Sequence, residues 1–175
     1  RPQPAFRPAL LFRLLALAAY GLCQLPTAEA QPGNYTTTNK HAIKTYEKGA
    51  NCMQLQDWGC AEKELKKAAA ADASFIEPRI YLGEMYEQRN MPKEAIAAYR
   101  EVVAINPRYF TPATLHLADL EIGEGDYVNA RVHYALSKEI DTDPQRKQRA
   151  DLGIANCDLA VDAMQHPVPF DPVNL

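Results

Sequence analysis

The sequence predicts an all-α fold, a solenoid of stacked antiparallel helical hairpins, on three observations. Small residues recur at a fixed period, with Gly49 placed 34 residues before Gly83 and Ala61 placed 34 before Ala95. The two small positions stay 12 apart in three copies (Gly49 and Ala61, Gly83 and Ala95, Ala118 and Ala130), although the third copy lags by one residue. A large residue follows each second small position by four: Leu65, Tyr99 and Tyr134. Antiparallel helices approach closely only where their facing positions are small, and a large side chain one turn away fills the space beside the contact. One hairpin cannot bury both of its faces, so such copies stack.

The elements follow in chain order. Arg1, Arg7 and Arg13 precede the apolar run Leu14–Leu22, and Ala28-Glu29-Ala30 is a small-x-small site, so residues 1–30 read as a secretory signal peptide. The run is too short to span a membrane. Cys23 raises lipid attachment as an alternative, but Tyr20-Gly21-Leu22 before it is a poor match to the small residues such a site prefers, and cleavage after Ala30 fits better. Residues 31–39, opening on Gln31-Pro32-Gly33-Asn34, are a polar linker.

Three repeats occupy 40–144, at about 42–75, 76–109 and 111–144. Leu82-Gly83-x-x-Tyr86, then Ala95-x-x-x-Tyr99, then Pro107 reproduces the tetratricopeptide spacing. Trp58, Pro92 and Tyr127 stand at the turn inside each hairpin, and the extra residue of the third copy falls between repeats, near Tyr109-Phe110. Thr111-Pro112 is expected as an N-cap with a first-turn proline, and Pro107 as a helix end. Asp143-Pro144 opens a solvating helix over 145–165. Leu152, Ala155, Leu159 and Met164 recur there at helical spacing, and Lys147, Arg149, Asp151 and Asp158 are expected to supply a partly polar outer face. Residues 166–175 hold three prolines and read as extended, either strapped along the last helix or leading into a further domain.

Composition narrows the function. The 175 residues are 47% hydrophobic and 23% charged, which excludes disordered and collagen-like chains. The formal charge of −3 conceals an asymmetry, because residues 31–175 carry 16 positive and 21 negative groups, net −5. An acidic body argues against nucleic acid or an anionic membrane surface as partner.

Asn34-Tyr35-Thr36-Thr37-Thr38-Asn39 after a signal peptide, the three repeats, Ala155-Asn156-Cys157-Asp158-Leu159-Ala160, and the tail Pro167-Val168-Pro169-Phe170-Asp171-Pro172 resemble the N-terminal part of an envelope protein family of Bacteroidota. In that family a tetratricopeptide block precedes a beta-propeller and an OmpA-like peptidoglycan-binding domain, and some members, the PorE-like ones, are associated with type IX secretion. The resemblance implies a periplasmic, outer-membrane-associated protein whose peptidoglycan-binding residues lie outside this sequence.

In tetratricopeptide repeats the first helix of each hairpin lines a concave groove. In register with Gly49, Gly83 and Ala118, the groove stations include Tyr46, Met53, Glu77, Ile80, Glu84, Glu87, Leu115 and Asp119. This row mixes apolar stations with four carboxylates and contains no Lys or Arg. It lacks the cations needed to grip a peptide's terminal carboxylate, and a basic or amphipathic protein segment suits it better. The carboxylates are equally readable as a solvated face, and the apolar stations as packing against a downstream domain.

Catalysis is not expected, nor any cofactor or metal. His41, His116, His133 and His166 form no His-Glu-x-x-His pair, Gly123-Glu124-Gly125 lacks a third glycine, and neither Ser74 nor Ser137 lies in a nucleophile motif. Cys52 and Cys60 are eight apart, wrong for a Cys-x-x-Cys site. They are open to two readings, a disulfide across the first hairpin of an exported protein or small buried thiols in a tight contact, with Cys157 as a buried free thiol.

Overall fold

In the computed structural model, residues 35–167 are described; the expected signal peptide at 1–30, the linker up to residue 34 and the tail from 168 lie outside them. Among the described residues seven helices follow one another: α1 (Lys40–Gln54), α2 (Trp58–Ala71), α3 (Glu77–Gln88), α4 (Pro92–Ile105), α5 (Pro112–Gly123), α6 (Tyr127–Ile140) and α7 (Pro144–Gln165). There is no strand among the described residues. Each helix packs on its neighbours in sequence, so the fold is a one-dimensional stack of three hairpins and a last helix.

The small-and-large spacing does the work expected of it. A Cβ on Gly49 would lie 2.8 Å from Leu65 Cγ, and one on Gly83 would lie 2.5 Å from the Tyr99 ring. Gly153 of α7 stands against the Tyr134 ring in the same way, at 2.5 Å. Ala61, Ala95, Ala118 and Ala130 are all fully buried.

The backbone repeats as well. The turn inside each hairpin contains one residue of positive φ, at Gln56 (57°), Asn90 (54°) and Gly125 (80°). Trp58, Pro92 and Tyr127 are the first residues of α2, α4 and α6. Residues 72–76 join α2 to α3 whereas 106–111 join α4 to α5, so the extra residue of the third copy is in the connection and not in a helix. After each second helix an Asx side chain accepts a hydrogen bond from the amide two residues on: Ser74 N to Asp72 (2.9 Å), Arg108 N to Asn106 (3.0 Å) and Asp143 N to Asp141 (2.8 Å).

Caps come from Asn39, Asp57, Asp126 and Asp143, whose side chains accept first-turn amides of α1, α2, α6 and α7. Thr111 does not cap α5. It already has helical backbone angles and its side chain takes no amide, and Pro112, which has no N–H, begins the helix.

The orientation of α7 corrects the sequence reading. Ala150, Gly153 and Cys157 face inward, while Leu152 and Leu159 are 62% and 70% exposed. The bulk of Tyr134 decides this, because its ring leaves room only for a glycine opposite. The expected outer charges are drawn to the flanks, where Asp151 pairs with Lys138 (2.6 Å), Asp158 with Arg131 (2.5 Å) and Arg149 with Asp119 (2.7 Å).

Candidate functional site

The groove stations are set by α1, α3 and α5. Tyr46, Ile80 and Leu115 are not open apolar stations: they are 7%, 7% and 4% exposed and belong to the cores between helices. Tyr46 meets Tyr35, Phe75 and Tyr81 edge-on, at centroid distances of 5.6, 5.3 and 5.3 Å. Met53 is half-buried against the first core.

Glu77 is also closed. Its carboxylate accepts the Thr36 amide (2.8 Å), the Thr36 hydroxyl (2.5 Å) and the Tyr109 hydroxyl (2.7 Å). Burial and that last bond push Tyr109 up to about 12. The segment before α1 is therefore fastened to the start of α3, where Ile76 N also donates to Thr36 Oγ1 (2.9 Å).

Two further carboxylates are held by tyrosines from the helices behind them. Tyr99 donates to Glu87 (2.7 Å), and His116 Nδ1 lies 3.2 Å from the same carboxylate, its ring stacked on Tyr99. Tyr134 donates to Asp119 (2.6 Å), which also pairs with Arg149. Burial and then the carboxylate partner raise both tyrosines far above the usual phenol range. These tyrosines are the large residues of the repeat spacing, so one side chain fills the helix contact and anchors an acid.

Glu84 differs. It accepts no hydrogen bond and joins no ion pair among the described residues, and partial burial raises its carboxyl, with His116 opposing and Glu87 adding. Sequence reasoning placed no cation in the groove, yet the closing helix brings some. Pro112, Leu115 and His116 line a depression of about 350 Å³ together with Arg146 and Arg149. Arg146 is committed to Asp141 (2.6 and 2.9 Å) and Asp143 (3.1 Å). Fixed positive and negative charges thus offset each other along this face, and Glu84 is the acid left without a partner.

Elsewhere, Glu121 is fully buried and takes Arg100 (2.7 and 3.1 Å) and His133 (2.6 Å), an ionic tie between α4, α5 and α6 away from the groove row. Cys52 and Cys60 are joined in a disulfide across the first hairpin turn, with Cα atoms 5.7 Å apart, and Cys157 is a buried free thiol. Among the described residues no group of His, Cys, Asp and Glu is arranged to hold a metal ion, and no helix is long and apolar enough to cross a membrane.

No protein-family model and no curated protein sequence matches the chain. Solved structures do resemble it. The type III secretion chaperone SycD of Yersinia enterocolitica, in complex with a peptide of the translocator YopD, is 18% identical with a TM-score of 0.55, covering 67% of this chain and 92% of that one. The Sgt2 tetratricopeptide domain of Aspergillus fumigatus is 15% identical (TM-score 0.55; 77% and 89% covered). The first tetratricopeptide domain of Spaghetti (RPAP3), bound to the HSP90 peptide SRMEEVD, is 16% identical (TM-score 0.58; 73% and 98% covered). With the 34-residue period in both sequence and backbone, these likenesses identify the fold as a tetratricopeptide-type helical-hairpin solenoid.

Proposed function

We propose that this solenoid is a non-catalytic protein-binding module whose concave face takes a basic or amphipathic segment of a partner. The observation that carries the reading is Glu84, a half-buried carboxylate at the middle of the face with no partner of its own. An unpaired acid in a partly desolvated site gains from a Lys or Arg supplied by a ligand. Structural relatives support the class of function, since SycD and the RPAP3 domain are seen with peptides. The acidic peptide SRMEEVD is the wrong charge for Glu84.

The setting we propose is the envelope of a Gram-negative cell, with the protein exported and associated with the outer membrane. The signal-like residues 1–30 and the resemblance to Bacteroidota envelope proteins support it, as does the Cys52–Cys60 disulfide, a bond that persists in oxidising compartments. A role linking a type IX secretion apparatus to peptidoglycan is the most specific form of this proposal, with peptidoglycan held by a domain outside this sequence. A second reading, a spacer packing on another unit of the same polypeptide, is favoured by the outward Leu152 and Leu159.

The two separate by titration with amphipathic peptides carrying Lys and Arg on one face, against controls carrying Glu there. Glu84→Lys is expected to weaken the basic peptides about tenfold and leave the fold intact. No selectivity for basic peptides, or no effect of Glu84→Lys, would remove the binding-groove reading.

A further inference from the structure

Where α7 ends, the seam between α6 and α7 opens into a mainly apolar groove of about 340 Å³ lined by Tyr127, Val128, Val161 and Met164, with Gly125, Asp126 and Gln165 completing its wall. Its walls are out of keeping with a finished surface, since Val128 is 66% and Met164 69% exposed. Scattered exposed apolar residues are ordinary, but side chains converging on one concavity mark a docking site.

The groove lies at the root of the C-terminal segment. Gln165 is both the last residue of α7 and part of the groove wall, and residues 168–175 continue from Pro167 just beyond it. Phe170 is five residues past Gln165. At about 3.3 Å per residue an extended chain spans roughly 16 Å over that distance, enough to turn back into a groove that begins at its own origin. The largest apolar side chain in residues 166–175 is Phe170, and Pro167 and Pro169 precede it. Prolines remove backbone donors and fix φ, so ordering this segment costs less and leaves fewer amides to satisfy. A second copy of the chain fits less well: a stable pair needs about 800 Å² per partner, and a groove of about 340 Å³ at one helix end does not supply it. A tethered segment needs no such area, because its local concentration is in the millimolar range.

We propose that Phe170 seats in this groove, so that the segment after α7 is bound to the open seam between α6 and α7. The contact fills the open end of the α6–α7 seam and fixes the direction in which the chain leaves the solenoid.

Chymotryptic cleavage after Phe170 in the full chain tests this, with a free peptide of residues 166–175 as the reference. Cleavage of the docked segment tracks the population of its open form, so the full chain is expected to be cut about tenfold more slowly than the peptide. Val128→Asp and Met164→Gln should each restore the peptide rate. Both positions are exposed, and a carboxylate at 128 lies in the first turn of α6, where the helix dipole favours it, so folding is preserved. Cleavage of the full chain at the peptide rate would overturn the proposal and leave the groove to a separate partner. Protection that rises with protein concentration would assign the groove to a second copy, and protection that both variants leave intact would place Phe170 elsewhere.

Discussion

Gly83 shows how much of this molecule rests on single atoms. A methyl at that position would overlap the Tyr99 ring, and Tyr99 is simultaneously the donor that holds Glu87 and the platform for His116. Gly83→Ala is therefore expected to destabilise the protein by about 1–3 kcal/mol in denaturant unfolding, as overpacking does. An unchanged midpoint would show that the helices slide apart without cost. These small residues were legible in the sequence because their spacing is short-range and periodic. The groove was not. Glu77, Glu87 and Asp119 look like a free acidic row when only their helices are considered, but their partners Thr36, Tyr109, Tyr99, Tyr134 and Arg149 come from other elements, and no local pattern announces a hydroxyl pointing across a helix interface.

Among the elements, α7 is the instructive one. Leucines at helical spacing suggest a buried face, yet Tyr134 selects glycine, alanine and cysteine, and the leucines go outside. Volume outranks hydropathy wherever the facing helix already supplies the bulk. The connection into α7 carries a periodic signal of its own: the Asx residues at 72, 106 and 141 keep the repeat period and make the same turn. The third has become an ionic latch. Asp141 is 2% exposed, and the Arg146 guanidinium, with the Asp143 amide, holds its carboxyl down at about 2. Because the folded value is depressed, the stabilisation is present above the ordinary aspartate range and is lost as pH falls from about 4 towards 2. Asp141→Asn is expected to lower stability by about 2 kcal/mol at pH 7, with the difference from wild type shrinking across that acid window. A difference independent of pH would assign the loss to packing instead.

At the scale of the whole molecule, each repeat is stabilised chiefly by its neighbours, so the first hairpin, which has no preceding repeat among the described residues, depends on staples. The disulfide there closes an eight-residue separation and is worth about 2–3 kcal/mol by loop entropy. Replacing Cys52 and Cys60 by Ser should cost about that much, with hydrogen exchange rising first in α1 and α2. Mass spectrometry of residues 31–175 without reduction should find one thiol, at Cys157, and two further alkylatable thiols at 52 and 60 would refute the bond.

The other staple has a mechanical consequence. Glu77 ties Thr36, ahead of the first repeat, to Tyr109, at the entrance of the third, so all three repeats are sewn together along the edge where α1, α3 and α5 begin. Stacked repeats behave as a spring, and the opposite border is tied more thinly, by Glu87 with His116 (3.2 Å) and Arg89 with Glu62 (3.4 Å), so it opens first. The concave surface should breathe at the border where Gln54, Gln88 and Gly123 end their helices, which gives an incoming segment a preferred side of entry.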